Sequence, residues 1–438
     1  MSRSVAALIR SAFDPDAALQ VEVRGVCAGP PDPVVRLVVR DDDALAHLAR
    51  HPGELGFARA YVSGALDVQG DLFELLRIRA TGEAVQLPLT ERLRFAARLG
   101  TRPWLAPPPA PAEEVNLGGV RGRHRIGRDR RAISHHYDVG NEFYELLLGP
   151  TMVYSCAVFE HPADSLEVAQ TNKLELICRK LALEPGMRLL DVGCGWGSLV
   201  RHAALHHGVH AVGITISAEQ AAYARARMAA DGLADRVEIR LCDYREVGRD
   251  HFDAISSVGM SEHVGRANLD TYFDILRGLL VPQGRLLNHQ IGIGPEKSRP
   301  RGARNAAAAR GSFVNHYVFP DGELQDVGEL VAVMQGTDLE VRHVESLREH
   351  YAITCRRWVE NLESSWHEAV HIAGEGRARV WRLYLAGASV NFELGPTQVH
   401  QVLAVNTPTS GALRGRARLP LRPAFERVPL TRRDRLSA

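Results

Sequence analysis

The sequence lacks the features typical of secreted, membrane-spanning and nucleic-acid-binding proteins. Its 438 residues include six cysteines without a C-x-x-C pair, which favours a reducing compartment. No run of about 18 apolar residues occurs, and the apolar part of MSRSVAALIRSAFDPD is too short for a signal peptide. The 53 Lys and Arg nearly balance the 52 Asp and Glu, so no net field selects nucleic acid as a partner. We therefore expect a cytoplasmic protein that meets any membrane from the water side.

Composition along the chain predicts several segments. Hydrophobic residues make up 45% of the sequence, enough for two or three domains. The prolines of WLAPPPAPAEEV predict an extended linker. Before them, VVRLVVR predicts a strand and the aspartates at 41–43 the start of a helix. We expect a smaller α+β domain over 1–104, a Pro-rich and basic linker over 105–131, a larger domain over 132–408 and a flexible basic tail over 409–438.

Two kinds of basic cluster need an interpretation. Arginines concentrate in residues 121–131, 299–310 and 414–435; we expect solvated faces there, the alternative being docking on anionic phospholipid head groups. The stretch RHAALHHGVH contains four histidines: His202, His206, His207 and His210. They straddle a helix end and a turn with no cysteine or acid beside them, so we expect a solvated surface and no metal site.

The larger domain alternates helical and strand patterns. One helical face carries Leu174, Ile177, Cys178 and Leu181 at i, i+3, i+4 and i+7. Ser217 and Gln220 form a capping-box pair at the start of another helix. The strand patterns, in order, are MRLLDVG, HAVGITI, RVEIRLCD, FDAISSV and RLLNHQI. This alternation predicts a parallel, doubly wound α/β sheet with its ligand at the carboxyl ends of the strands.

The stretch LLDVGCGWGSL decides among nucleotide-binding folds. Its glycines, Gly193, Gly195 and Gly197, do not follow the dehydrogenase spacing G-x-G-x-x-G, which would place its third glycine at Ser198. With Asp191 they form D-x-G-x-G-x-G, which is typical of class I S-adenosylmethionine-dependent methyltransferases. Glycines let the backbone approach the cofactor without Cβ clashes. We therefore predict a class I methyltransferase fold with a Rossmann-like doubly wound sheet.

From about residue 61 to 405, the sequence resembles the cyclopropane-fatty-acyl-phospholipid synthases and their mycolic-acid relatives. The motifs that carry the resemblance are HYDVGNEFYELLL, MVYSCAVF, LEPGMRLLDVGCGWG, GITISAEQ, LCDYREV, SSVGMSEHVG, YVFPDGEL and HYAITCRRW. The resemblance implies an S-adenosylmethionine-dependent enzyme whose smaller domain engages lipid. Its implied substrate is a cis-unsaturated acyl chain of a phospholipid.

Carried over position by position, the resemblance implies two groups of site residues. The cofactor site would contain Tyr154, Ser155, Asp191, Gly193, Cys194, Gly195, Gly197, Thr215, Ser217, Gln220, Asp243 and Tyr244. The catalytic site, which in the family holds a bicarbonate ion, would contain Cys156, Glu262, His289, Ile291 and Tyr351. Glu262 and His289 would orient the ion and Tyr351 would donate its hydroxyl, whereas Cys156 would line the pocket rather than act as a nucleophile. His136, Tyr137 and Asp138 would order the segment over the cofactor or cap a helix.

The implied chemistry is methyl transfer to an alkene, followed by loss of a proton to bicarbonate so that a three-membered ring closes. It requires an apolar passage that reaches the cavity between Gly195 and His289. The alternative product is a methylene- or methyl-branched chain, the latter with a reductase partner. Ser261 stands where a bulky aromatic is common, and Asn288 replaces an apolar residue, which leaves the product open.

Two further functions remain alternatives: a non-catalytic lipid-binding protein and a small-molecule methyltransferase. We expect peripheral association with the inner face of the membrane and no nucleic-acid partner, and a homodimer stays open.

Overall fold

The computed structural model describes residues 4–51, 53–81, 108–115, 139–294, 312–319 and 322–407. The three arginine clusters, His136 to Asp138, most of the expected linker and the tail lie outside the described residues. No helix in the described ranges is long and apolar enough to cross a bilayer.

The helices and the strands are each numbered in chain order. The helices are α1 (Val5–Arg10), α2 (Asp42–Arg50), α3 (Glu54–Val62), α4 (Leu72–Thr81), α5 (Asn141–Leu148), α6 (Leu166–Leu181), α7 (Ser198–His207), α8 (Ala218–Ala230), α9 (Ser261–Val264), α10 (Leu269–Leu279), α11 (Phe313–Tyr317), α12 (Val327–Gly336), α13 (Arg348–Ser364), α14 (Trp366–Ala373) and α15 (Glu375–Leu394). The strands are β1 (Leu19–Val23), β2 (Val26–Ala28), β3 (Val35–Val39), β4 (Leu66–Gly70), β5 (Arg188–Val192), β6 (His210–Thr215), β7 (Val237–Leu241), β8 (Phe252–Val258), β9 (Leu280–Ile293), β10 (Leu339–Ser346) and β11 (Thr397–Asn406).

The chain divides into two compact units. The first comprises Met1–Gly119, Arg301–Pro320 and Leu362–Val390, and the second Val120–Pro300, Asp321–Asn361 and Asn391–Ala438. The first unit therefore takes in two later stretches that the sequence analysis places in the larger domain. Sequence patterns before the proline-rich stretch carry no sign of this, because the later stretches join by tertiary contacts rather than by chain proximity.

A four-stranded sheet, in the order β2-β1-β3-β4, forms the centre of the first unit. Strand β3 is the strand that VVRLVVR predicts, and its alternate residues Val35, Leu37 and Val39 are buried. Asp41 caps α2 by accepting a hydrogen bond from the Asp43 amide at 2.8 Å, as the run of aspartates predicts. This unit mixes strands and helices, as expected of an α+β domain.

A seven-stranded sheet, in the order β10-β11-β9-β8-β5-β6-β7, forms the centre of the second unit. Strands β5 to β9 pair in parallel, and they are the five strands that the sequence predicts. The sequence did not predict β10 and β11: β11 pairs antiparallel with β9, and β10 pairs antiparallel with β11 at the edge of the sheet. Chain order reverses between β5 and β8, and ligands in such sheets bind at the carboxyl ends of the strands at this switch point.

Hydrophobic cores lie on both faces of this sheet, as a doubly wound fold requires. Neighbouring residues of β5 divide between them, with Leu189 in one core and Leu190 in the other. Residues of α6, α7 and α8 complete the first core, and residues of α10 and α12 complete the second. The predicted helical face of Leu174, Ile177, Cys178 and Leu181 is buried in the first core, on α6.

Candidate active site

The glycine-rich loop leaves β5 and begins α7. Gly193, Gly195 and Gly197 all have positive φ, at 77°, 54° and 82°. A Cβ atom on Gly193 would lie 2.5 Å from Cγ of Met260, so this position admits no side chain without displacing its neighbour. The amides of Gly193 and Cys194 both donate to the carbonyl of Ile214, at 3.0 and 2.9 Å, which fastens the loop to β6.

The loop forms one wall of a cleft at the carboxyl ends of β5, β6 and β8. The cleft is open to solvent on one side. The predicted cofactor residues that line it are Tyr154, Ser155, Asp191, Gly193, Cys194, Gly195, Thr215, Gln220, Asp243 and Tyr244. Gly197 and Ser217 are outside this lining, and they lie at the N-caps of α7 and α8.

A buried carboxylate and a buried ammonium line the inner wall of the cleft. Oδ1 of Asp191 accepts a hydrogen bond from Oγ of Ser256 at 2.7 Å, and burial raises the pKa of Asp191 to about 6. Nζ of Lys173 donates to Oγ of Ser155 at 3.1 Å, and burial lowers the pKa of Lys173 to about 8. Asp191 is therefore poised to ionise fully when a cationic group binds beside it.

At the ends of β6 and β7, polar side chains are held by local contacts. Oγ1 of Thr215 donates to Oε1 of Gln220 at 2.9 Å, and the Gln220 amide donates to Oγ of Ser217 at 3.3 Å. Only half of the predicted capping box forms here, because the Gln220 side chain bonds Thr215 instead of the Ser217 backbone. The carboxylate of Asp243 accepts from Arg245 Nε at 2.6 Å, which fixes its orientation.

Two of the predicted catalytic residues meet at the end of β9. Oε1 of Glu262, at the start of α9, accepts from the Ile291 amide at 2.7 Å. Its other oxygen, Oε2, is buried and has no hydrogen-bond partner among the described residues. Burial raises the pKa of Glu262 to about 7, although the bond from Ile291 opposes this. The carboxyl group can therefore gain or lose a proton near neutral pH.

The hydrogen bonds around His289 define its tautomer. Lys180, whose side chain is fully buried, donates from Nζ to Oε1 of Gln401 at 2.6 Å. An ammonium only donates, so the Gln401 carbonyl must face Lys180 and its Nε2 must donate to Nδ1 of His289, at 3.1 Å. Burial lowers the pKa of His289 to about 3, so the ring is neutral and carries its proton on Nε2. That Nε2 is buried without a hydrogen-bond partner in the described part of the chain.

Cys156 is a buried thiol rather than a thiolate. Its Sγ donates to the carbonyls of Ala157 and Leu347, at 3.2 and 3.5 Å. Burial raises the pKa of Cys156 well above its ordinary value, so the sulfur stays protonated. A protonated thiol fits the interpretation that Cys156 is not a nucleophile.

Tyr351 belongs to an aromatic group that reaches the cleft. Its ring stacks on Phe392 with centroids 4.5 Å apart and meets the edge of Trp358 at 6.0 Å. Trp358 in turn contacts Tyr154 at 5.3 Å, and Tyr154 lines the cleft. Strand β11 connects Tyr351 to the region of Glu262 and Ile291. Its residue Val399 pairs with Ile291 and accepts a hydrogen bond from the Leu347 amide at 3.0 Å, and the Leu347 carbonyl accepts one from the Tyr351 amide.

The predicted catalytic residues lie behind the cleft wall rather than in its lining. His289 pairs with Val258, and its carbonyl accepts from the Gly259 amide at 2.8 Å. Val258 and Gly259 line the cleft, and so does Gly195, whereas His289 does not. The expected apolar passage between Gly195 and His289 therefore stays a prediction.

Sequence reasoning missed several residues of this region. Lys173, Met260 and His263 line the cleft, and Lys180 and Gln401 hold His289. Lys180 and Gln401 are 221 residues apart, and no local pattern connects them. Met260 and His263 lie inside the motif SSVGMSEHVG, which is the signal that could have found them.

A doubly wound sheet with a D-x-G-x-G-x-G loop at its switch point defines a class I S-adenosylmethionine-dependent methyltransferase. The profile of the family described as mycolic acid cyclopropane synthetase matches residues 124–402. The chain belongs to this cyclopropane synthase family, as its motifs predict, and it is an S-adenosylmethionine-dependent methyltransferase.

Individual relatives agree with this assignment. A probable fatty acid methyltransferase of Mycobacterium tuberculosis is 44% identical over 410 residues, covering 92% of this chain and 93% of the relative. The cyclopropane-fatty-acyl-phospholipid synthase of Escherichia coli is 35% identical over 354 residues, covering 80% and 83%. The crystal structure of mycolic acid cyclopropane synthase CmaA1 complexed with SAH and CTAB is 31% identical with a TM-score of 0.59, covering 63% of this chain and 98% of that one.

Proposed function

We propose that this chain is a cyclopropane-fatty-acyl-phospholipid synthase, which adds a methylene across a cis double bond of a phospholipid acyl chain. The observation that carries the proposal is a pair of buried atoms without partners in the described residues, Oε2 of Glu262 and Nε2 of His289. A buried polar atom left without a hydrogen bond costs roughly 1–3 kcal/mol. Two such atoms on the predicted catalytic residues support a small polar ligand there.

Bicarbonate fits the hydrogen-bonding character of these two atoms. Its hydroxyl donates and its charged oxygens accept, while Glu262 Oε2 accepts and the protonated Nε2 of His289 donates. Gln325 lies beside the end of β9, where its backbone carbonyl accepts a hydrogen bond from the Ile293 amide at 3.1 Å. Both polar atoms of its side-chain amide are buried without partners among the described residues. When bound, S-adenosylmethionine would supply an electrophilic methyl group and bicarbonate a base for the proton released at ring closure.

The residues of the chain then have distinct tasks. The glycine loop and Asp191 hold the cofactor, and the tautomer that Gln401 imposes makes His289 a donor to a bound anion. Tyr351 would donate its hydroxyl to the same anion. Because Glu262, His289 and Cys156 are all buried, water is excluded from a carbocation that it would otherwise convert to an alcohol.

The second candidate is a fatty-acyl methyltransferase that makes a methylene- or methyl-branched chain. The name of the relative with 44% identity favours it. So do Ser261 and Asn288, the two departures from the family pattern, which meet in one buried network. Asn288 Nδ2 lies 3.4 Å from Ser261 Oγ, and Ser261 also contacts Gln290. The network adjoins Glu262 and His289 in sequence, where a small displacement of the base would change which proton is lost.

Mass spectrometry of phospholipid fatty acids separates the two products. The chain is expressed in a bacterial host that lacks any such enzyme and contains cis-unsaturated phospholipids. A cyclopropane product is heavier by one CH₂ and resists catalytic hydrogenation under conditions that reduce alkenes. A methylene branch has the same added mass but takes up hydrogen, and a methyl branch is heavier by a further two hydrogens. The proposal requires the hydrogenation-resistant product in the wild type and its absence in Gly193→Ala.

We also propose that the protein is cytoplasmic and associates peripherally with the inner face of the membrane, and that its first unit engages lipid. The support for docking on an anionic membrane is the arginine-rich composition of residues 121–131, 299–310 and 414–435. Co-sedimentation with anionic phospholipid vesicles should weaken as salt is raised, and salt-independent binding would contradict docking by arginine. A homodimer and, for a methyl-branched product, a reductase partner stay predictions.

A further inference from the structure

Helices α6 and α7 bring together a cluster of metal-ligating side chains outside the cofactor cleft. The thiol of Cys178 and one ring nitrogen each of His202 and His207 lie within 4.8 Å of one another. The sequence predicted a solvated surface here, and this is correct for His206 and His210, which are exposed. It is wrong for His202 and His207, whose side chains are only 10% and 17% exposed.

An acid completes the cluster, although none is adjacent to these histidines in sequence. Oε2 of Glu175 lies 3.1 Å from Nε2 of His202 and 3.0 Å from Nε2 of His207. Glu175 and Cys178 are three residues apart on α6, so both project towards the end of α7.

The spacing of the ligand atoms is close to that of a metal centre. Zinc bonds of about 2.0–2.3 Å place tetrahedral ligand atoms about 3.3 to 3.6 Å apart. Atoms already within 4.8 Å reach that separation by movements of about 1 Å, which small side-chain rotations provide. Three protein ligands also leave a fourth position for water.

We propose that Cys178, His202 and His207 bind a zinc ion, with Glu175 ion-paired to Arg179 beside the site. The ion ties α6 to α7. Both helices also wall the cofactor cleft, with Lys173 and Leu174 on α6 and Ser198 and Leu199 on α7. Zinc therefore stabilises the part of the second unit that supports the cleft.

Formation of the zinc–sulfur bond breaks the S–H bond of Cys178 and releases that proton to solvent.

The test uses the full-length protein, stripped of metal with a chelator and titrated with Zn²⁺ and then with Co²⁺ as a spectroscopic probe. We expect one equivalent of tightly bound Zn²⁺, a higher melting temperature with zinc, and a thiolate-to-cobalt charge-transfer absorption. Cys178→Ser should abolish that absorption, and His207→Ala should weaken zinc binding at least tenfold. The matched control His210→Ala changes an exposed histidine three residues further along and should bind zinc as the wild type does.

Cofactor binding by each variant, measured by calorimetry, verifies that it is folded. If the buried Cys178→Ser variant does not fold, the partly exposed His207→Ala variant decides the question. Absence of stoichiometric zinc binding, a cobalt spectrum without a thiolate band, or equal losses in His207→Ala and His210→Ala would each overturn the proposal.

Discussion

The affinity of the cofactor site should depend on the protonation of Asp191. This carboxyl group is buried in the cleft wall with a pKa raised to about 6, and its hydrogen-bond donor is Ser256. We expect the ammonium of the amino-acid end of S-adenosylmethionine to bind the ionised form. For a pKa of 6, about ten elevenths of the molecules are ionised at pH 7 and about one eleventh at pH 5. Affinity should therefore fall about tenfold between these pH values, which corresponds to about 1.4 kcal/mol.

Isothermal titration calorimetry with S-adenosylmethionine from pH 5 to pH 8 measures this change. The sign follows from the raised pKa: protonation of Asp191 below pH 6 removes the negative charge, so binding weakens as the pH falls. Asp191→Asn should bind weakly with little change across this range. Methylthioadenosine, which lacks the amino-acid end, should bind the wild type with no step near pH 6. A flat profile for S-adenosylmethionine in the wild type, or an equal step for methylthioadenosine, would refute the reasoning.

Three further variants probe the cleft and the residues behind it. Gly193→Ala should weaken cofactor binding at least tenfold by calorimetry, because its Cβ would lie 2.5 Å from Met260, whereas Gly278→Ala, which has open space around it, should leave binding unchanged. Lys180→Met removes the donor that fixes the Gln401 side-chain amide, so this amide can reverse and His289 can lose its Nε2 proton. Turnover in a liposome methyl-transfer assay should fall at least tenfold, while the Kd for cofactor stays within about twofold. Equal losses of turnover and cofactor binding would instead indicate a purely structural Lys180. Tyr351→Phe should fold, bind cofactor and lose most turnover, and a normal rate would remove Tyr351 from the anion site.

Local patterns accounted for the centre of the fold and the wall of the cofactor cleft. Strands β5 to β9 follow from alternating apolar runs, and the face of α6 follows from its i, i+3, i+4 and i+7 spacing. The glycine motif identified the cleft because positive φ at Gly193, Gly195 and Gly197 is a backbone requirement that only glycine meets readily. These features are encoded within a few residues of each other.

Features that depend on distant parts of the chain could not be predicted in this way. Strand β11 pairs with β9 although it begins more than a hundred residues after β9 ends, and only with β11 in place does Gln401 reach His289. The cluster of Glu175, Cys178, His202 and His207 exists because α6 packs on α7. Its acid is far from the histidines in sequence, so no local pattern indicated it. Residues 362–390 join the first unit for the same reason.

The central claim is that Glu262 and His289 hold a bicarbonate ion that takes the proton released at ring closure. The most direct measurement is the rate of lipid product formation on cis-unsaturated liposomes in carbonate-free buffer, as bicarbonate is added back, for the wild type and Glu262→Gln. We expect the wild type to have a low basal rate that rises to saturation with bicarbonate. In Glu262→Gln we expect a lower rate with little response to bicarbonate, at unchanged cofactor affinity. A wild-type rate that is already maximal without bicarbonate, or an identical bicarbonate response in the variant, would contradict the claim.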